Sequence, residues 1–475
     1  MDPSSESLES AVRGAVRVAP SEIEPFRRDA SHLEGRPRAV VAPLDVDDVV
    51  SLVRWARRTR IPLVARGGGT SLDGESVPAD GAIVVDFSGW RSVIEIAPDE
   101  LWARVGPGVV NWDLQQALRP AELFFPPNPG SWTTATIGGN VGTNASGPRS
   151  FRYGPTRAWV RGVEAVLGTG ERAGFGSRVA KRSVGPDLLH LIVGSEGTLA
   201  LVTEVTVRLA PCPAVREGLV FPLGSGVSLG AIASRLTRAP DTGLSAVEYL
   251  DRRSAAALRA AGQGDWPKDA PLLLLEVEAS SAPDASARRA RIIAELRSIG
   301  VGTPPTVFDD ADRLWMLRGA SGTVLDEQMG IRVREDVAVP LGRIDELVRR
   351  LEGIERSTGA RLYLFGHLGE GSLHPNYVVE PGSPLAERIR TELLTAALDL
   401  GGTVSAEHGI GRVKSGFLPR ELGGPAIALL AAVKRECDPD GILNPGKLYP
   451  GSGGGEARSP SPSLSGSEAS RVRPG

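Results

Sequence analysis

Two cysteines, three methionines and five histidines are spread over 475 residues. Cys212 and Cys437 stand far apart and form no CxxC pair. That excludes an iron–sulfur cluster held by four thiolates of this chain, and it points to a reducing compartment. Charge of one sign is missing too: the formal net charge is −3 at pH 7. Such a chain offers no general field for nucleic acid or anionic membranes. No run of about twenty apolar residues occurs, so no segment reads as membrane-spanning. The opening "MDPSSESLES" is acidic and polar, whereas a signal peptide starts basic and continues apolar. The expectation is a cytoplasmic protein, with peripheral contact at the inner membrane left open. High Arg, Ala and Gly usage is read as genome bias.

What is present is enough chain for two or three domains. Residues 1–36 read as a polar lead-in, helical in part. "RAVVAP" (38–43) reads as a strand. "DVDDVVSLVRWARRTR" (45–60) reads as an amphipathic helix opened by Asp45, with acids in its first turn and arginines in its last, as the helix dipole favours. "IPLVA" and "GAIVVDF" continue a β-α-β pattern. "GVEAVL" and "LALVTEVTVRLAP" read as the strands that close this first region. Further on, "PLLLLEVEA" (271–279), "VREDVAVP" and "RLYLF" read as strands. Residues 283–300, "RIDELVRRLEGIERSTG" and "PLAERIRTELLTAALDLGG" read as helices, giving a second α+β region. The Gly/Ser/Pro-rich stretch 451–475 reads as a disordered tail. No internal repeat occurs.

Glycine-rich segments carry the first chemical signal. "RGGGTSL" (66–72) can turn tightly, or it can aim backbone N–H groups at an anion. It is not GxGxxG, so the nicotinamide fingerprint is absent there. "PPNPGSWTTATIGGNVGTNASG" (126–147) mixes Gly, Ser, Thr and Asn over more than twenty residues, a length that is usually functional in a compact domain. Such residues suit a diphosphate and a flat polar ring. "VGSEGTLALVTEV" (193–205) is a third such segment. "GILNPGK" (441–447) matches GxxxxGK, but Leu448 follows where a P-loop needs Ser or Thr, which argues against nucleotide hydrolysis.

Histidine is scarce yet concentrated. His367 and His374 lie in "FGHLGEGSLHPNY", and His408 lies in "SAEHGIG" beside Glu407. His32 and His190 read as ordinary satisfied residues. "RLYLF" as a strand and "GEG" as a turn allow a hairpin that brings His367 and His374 onto one face. Two imidazoles and a carboxylate suit zinc or a similar divalent ion, with positions left for substrate. Arg318, ending a predicted helix in "LWMLRGASGT", and Arg334, before a strand, could each clamp a carboxylate or be ordinary surface arginines.

Six ordered stretches between about residues 38 and 450 resemble the FAD-linked oxidases of the vanillyl-alcohol oxidase type, in the D-2-hydroxyacid dehydrogenase branch. They are "RGGGTSL", "PNPGSWTTATIGGNVGTNASGPRSFRYG", "VGSEGTLALVTEV", "GHLGEGSLHPN", "SAEHGIG" and "DPDGILNPGKLYP". That branch includes the glycolate oxidase flavin subunit, D-lactate dehydrogenases and D-2-hydroxyglutarate dehydrogenase. The resemblance implies an α+β fold: a two-subdomain PCMH-type FAD-binding domain over 37–212 and an α+β cap with an antiparallel sheet over 213–436. Residues 437–450 would return to the FAD domain.

FAD contacts are implied for Arg66, Gly67, Gly68, Gly69, Thr70, Ser71 and Leu72. In the second segment they fall on Pro129, Gly130, Ser131, Gly138, Gly139, Asn140, Thr143, Asn144, Gly147, Tyr153 and Gly154. Glu196, Gly197, Thr198 and Asn444 complete the set. No histidine lies near these loops, so the FAD is expected to be non-covalent. Metal ligands implied by the resemblance are His367, His374 and Glu407, for Zn2+ or Mn2+. Arg318, Arg334, Asn376 and His408 would meet substrate, with His408 the general base.

Several positions depart from the family pattern. Glu370 and Ser372 stand for Asp and Asn, Arg334 for Lys, and Gly322 for a threonine that one branch uses on a second carboxylate. They argue weakly against a dicarboxylate substrate. Ser405 suggests no chemistry. The expected activity is oxidation of a lactate- or glycolate-like D-2-hydroxy acid to the 2-oxo acid. Electrons would pass to an iron–sulfur partner subunit, an electron-transfer flavoprotein, a cytochrome or a quinone. A homodimer is left open. The alternatives are a non-redox FAD transferase of the ether-lipid synthase type, and a flavin subunit active only in a complex.

Overall fold

The computed structural model describes residues 7–262, 269–319, 322, 324–325, 332–380 and 382–449; the stretch 451–475, expected to be disordered, lies outside them. The first layer is a four-stranded sheet in the order Ala15–Arg17, Ala39–Ala42, Ile83–Asp86, Leu63–Arg66. Its last three strands run parallel. The lead-in thus supplies an edge strand as well as the short helix Leu8–Ala11. The helix Val46–Thr59 covers this sheet. Asp45 caps it by accepting from the Asp48 N–H, and Val49, Leu52, Val53 and Trp55 form its buried stripe.

A five-stranded antiparallel sheet follows, in the order Val93–Ala97, Trp102–Val105, Ala200–Arg208, Val160–Leu167, Arg172–Gly176. The chain comes back to these layers at its end. Helix Gly424–Cys437, absent from the sequence reading, packs Val433 and Cys437 on the core of the five-stranded sheet. Leu443 then pairs in parallel with Leu63.

The third sheet is antiparallel, in the order Thr306–Phe308, Val215–Pro222, Leu272–Ala279, Leu244–Leu250, Leu362–Gly366, Ser372–Val378, Arg332–Arg334. Helices Leu229–Arg238, Ala282–Arg297, Ile344–Thr358 and Pro384–Asp399 share one core with one face of it, where Val247, Leu273 and Leu275 point. The opposite face carries Leu250, Leu272, Leu274, Tyr363 and Phe365. A strand buried on both faces needs no polar alternation, which is why "LLLL" can stand there. Side chains alternate along each strand, so Glu248, Glu276 and His367 fall on the second face, and Phe365 faces its register partner His374.

"VREDVAVP" corrects one expectation: it is two short strands, Arg332–Arg334 and Val337–Ala338, rather than one. Glu335 and Asp336 between them are fully buried. Glu335 accepts from Arg390 Nε at 2.6 Å, and Asp336 accepts from a distant loop. A regular ladder would have sent one of the two carboxylates to the other face, away from its partners.

Candidate active site

A cleft of about 1320 Å3 runs between the glycine-rich loops and the second face of the large sheet. One wall holds Arg66 through Leu72, Pro129, Gly130, Ser131, Gly138, Gly139, Asn140, Thr143, Glu196 and Gly197. These loops approach closely. A Cβ on Gly67 would stand 2.1 Å from Thr136 Oγ1, and Gly69 has φ +65°, which favours glycine. Asn140 is 2% exposed, and its Nδ2 has no hydrogen-bond partner although the residue lines the cleft. A buried amide donor without a partner is costly, and a polar ligand would satisfy it. The glycine loops, the hydroxyls and this amide fit FAD.

Other residues expected at the cofactor do not line the cleft. Asn144 Oδ1 accepts from the Arg157 N–H, and Tyr153 donates its hydroxyl proton to Glu278 at 2.6 Å. Thr198 donates to the Ser195 carbonyl. Gly147 accepts from Ser150, and Gly154 ends the short helix Ser150–Tyr153. Asn444 is buried and donates through Nδ2 to the carbonyls of Glu75 and Glu196, at 2.9 and 2.6 Å. Lys447, the lysine of the GxxxxGK match, donates to the Val77 carbonyl and to Asn444 Oδ1.

The far end of the cleft gathers Arg318, Arg334, Phe365, His367, His374, Glu407 and His408. The hairpin of Leu362–Gly366 and Ser372–Val378 puts the rings of His367 and His374 5.0 Å apart and nearly perpendicular. Glu407 Oε1 lies 2.9 Å from His367 Nε2 and 3.3 Å from His374 Nε2. The three donor atoms could all meet one ion. Burial alone would lower the His367 pKa, but Glu248 and Glu407 on its two nitrogens raise it well above the ordinary value. Burial would raise Glu407, yet His367 and His374 hold it well below the carboxylate range. A buried carboxylate facing two imidazole Nε2 atoms is satisfied by a protonated ring or by a bound cation, and the N, N, O set suits zinc.

His408 stacks on His374, with ring centroids 5.0 Å apart and planes 3° from parallel. Burial pushes its pKa down to about 3, so the ring is neutral. Asn376, fully buried, donates through Nδ2 to the His374 carbonyl. Arg318 donates through Nη2 to Glu248 at 2.9 Å and lies over the Phe365 ring.

Two acids at this site were missed by the sequence reading. Glu248 is one. Asp336 is the other: its Oδ2 accepts from the N–H groups of Ala406, Glu407 and His408 at 2.9, 2.7 and 2.8 Å. Asp336, His374 and His408 form a second group able to hold an ion, but three amides already occupy Oδ2, so Asp336 reads as the anchor of the 405–408 loop. Ser405 and Ser372 direct hydroxyls at the same carboxylate, which gives Ser405 a role. Glu370 accepts from the Ser150 hydroxyl.

Glu196, expected at the cofactor, has a further part. It lines the cleft, but its carboxylate accepts the Ile410 and Gly411 N–H groups at 2.7 and 3.0 Å. Burial raises its pKa to about 7. The loop 405–411 is therefore held at both ends by buried acids from elsewhere in the chain.

Residues 37–175 match the model of the FAD binding domain, and residues 212–448 match that of the FAD linked oxidases, C-terminal domain. The chain is 32% identical to glycolate oxidase subunit GlcD of Bacillus subtilis, over 88% of this chain and 90% of that protein. It is 35% identical to a D-lactate dehydrogenase of Archaeoglobus fulgidus, over 86% and 90%. Against D-2-hydroxyglutarate dehydrogenase of Stutzerimonas stutzeri the identity is 30%, over 92% and 96%. Among solved structures, p-cresol methylhydroxylase superposes with TM-score 0.77 at 16% identity, covering 91% of this chain and 93% of that one. Alkyldihydroxyacetonephosphate synthase superposes with TM-score 0.69 at 16% identity, over 90% and 82%. At that identity the two structures share the fold alone: a PCMH-type FAD-binding architecture with antiparallel sheets.

Proposed function

The chain belongs to the FAD-linked oxidase family of oxidoreductases, and from that premise we propose that it oxidises a lactate- or glycolate-like D-2-hydroxy acid to the 2-oxo acid. One observation carries the reading: two imidazole Nε2 atoms and a carboxylate converge beside a neutral histidine and two arginines, at the end of a glycine-lined cleft. His367, His374 and Glu407 would hold the divalent ion. Arg318 and Arg334 would bind the substrate carboxylate, with Asn376 placed on the same hairpin as the two metal-binding histidines. His408 would accept the hydroxyl proton as the hydrogen on the same carbon departs. When bound, FAD supplies the two-electron acceptor and the ion supplies a Lewis acid for the hydroxyl oxygen.

The flavin domain is assigned to 37–212, the cap to 213–436 and the returning segment to 437–450. Electrons leave to a separate acceptor: an iron–sulfur partner, an electron-transfer flavoprotein, a cytochrome or a quinone. Among the described residues no helix is long and apolar enough to cross a membrane, and a cytoplasmic location is part of the proposal.

Anaerobic flavin bleaching tests the reading. The purified chain is mixed with D- and L-2-hydroxy acids, with and without chelator. Bleaching by a D-acid, lost on chelation and restored by Zn2+ or Mn2+, is expected. Bound FAD that no acid bleaches would move the assignment to a non-redox transferase or to a subunit active only in a complex.

A further inference from the structure

Strand Leu244–Leu250 is buried at every position, and its sequence LSAVEYL contains one charged residue, Glu248. A carboxylate at zero exposure in such a strand is costly unless both oxygens are used. Both are. Oε1 lies 2.5 Å from His367 Nδ1, and Oε2 accepts from Arg318 Nη2 at 2.9 Å. The ring of Phe365, 4.7 Å from the Arg318 guanidinium carbon, backs the arginine.

The geometry points to Glu248 as a positioning residue that ties a metal ligand to the carboxylate-binding arginine, so that one buried acid sets both binding events. This rests on the proposed function. Accepting from His367 Nδ1–H fixes the tautomer whose Nε2 lone pair faces Glu407 and His374. Holding Nη2 of Arg318 fixes the plane of the guanidinium. Glutamine has nearly the same shape as glutamate, yet its single oxygen can serve only one of these donors. Its NH2 group would face either the arginine, donor against donor, or His367 Nδ1. In the second case the imidazole turns to the wrong tautomer.

The test compares wild type, Glu248→Gln, Glu248→Asp and Arg318→Met, all as FAD-loaded full chain. Zinc affinity is read by chelator competition, and D-lactate half-saturation by anaerobic flavin reduction. Glu248→Gln is expected to weaken zinc about 10- to 100-fold and to raise the D-lactate half-saturation as well. Arg318→Met is expected to raise the half-saturation and, because Glu248 keeps its contact with His367, to weaken zinc binding less than Glu248→Gln does. A merely structural role would lower FAD content and zinc affinity and raise the half-saturation together in every variant. Equal zinc affinity in wild type and Glu248→Gln overturns the inference. Should the Gln variant lose FAD, Glu248→Asp, which keeps the charge but shortens the reach, must bind zinc more weakly than wild type or the inference fails. A wild-type chain that binds no zinc would instead refute the metal assignment under the proposed function.

Discussion

Asp336→Ala should detach one half of the proposed metal and substrate site while leaving the flavin half intact. Asp336 is fully buried, and its Oδ2 alone accepts three consecutive backbone N–H groups, at 2.9, 2.7 and 2.8 Å. A hydrogen bond to a charged group contributes about 1.5–3 kcal/mol. Three of them are worth on the order of 4–9 kcal/mol if the loop stays in place, comparable to the whole stability of a domain. Leaving three amides buried and unpaired would therefore cost more than letting residues 405–408 move into water. The loop should open locally, carrying Glu407 and His408 away from the hairpin. Asp336→Asn keeps an oxygen in place without the charge, so roughly half of the effect should remain. Hydrogen exchange of the Ala406, Glu407 and His408 amides is the direct assay, alongside zinc affinity and FAD content. Fast exchange and lost zinc binding with normal FAD content are expected for Ala, with Asn between Ala and wild type. Wild-type protection and zinc affinity in Asp336→Ala would refute the reasoning.

Replacing His408 with Ala should lower the rate of flavin reduction by the hydroxy acid by about 10²- to 10⁴-fold, the usual worth of a general base, without loss of zinc or FAD. Stopped-flow absorbance and metal analysis check both halves of that statement. His374→Ala and Glu407→Gln should lose zinc on dialysis and resist bleaching by hydroxy acid, while dithionite still reduces the flavin. Gly67→Ala would place a methyl 2.1 Å from Thr136 Oγ1. It should cost about 1–3 kcal/mol by overpacking and lower the FAD retained through gel filtration. Glu196→Gln turns an NH2 toward one of two backbone N–H groups and should cost about 1–3 kcal/mol, read as a lower urea midpoint.

Local chemistry was readable wherever neighbours in sequence are neighbours in space. Asp45, the acids after it and the closing arginines specify the helix Val46–Thr59 through its own capping and dipole. The hairpin carrying His367 and His374 was readable because a strand, a Gly-Glu-Gly turn and a second strand close on themselves, and Gly371 takes φ +74° at the turn. The "VREDVAVP" break was not readable. Val333, Val337 and Val339 share one parity, as one face of a strand would, and the distant partners of Glu335 and Asp336 pull the backbone out of register between them. Helix Gly424–Cys437 was passed over because its apolar residues show no clean stripe. Its one buried residue is Lys434, which donates to the Thr198 and Leu443 carbonyls.

The buried acids show why a site can be half visible in a sequence. Candidate ligands announce themselves by type and spacing, as His367, His374 and Glu407 do. The groups that aim them are ordinary carboxylates, and they come from far away: Glu248 is 119 positions from His367, and Asp336 is 71 from Glu407. One local signal does exist. In "LSAVEYL" a single glutamate interrupts an otherwise uncharged strand on the same face as Leu250, where a charge cannot stay without a partner. The amino-acid pattern by itself therefore implies a buried cation or donor at such a position, although not which one. Here the donors are His367 and Arg318, which is why the proposed metal and carboxylate sites should fail together when that one acid is changed.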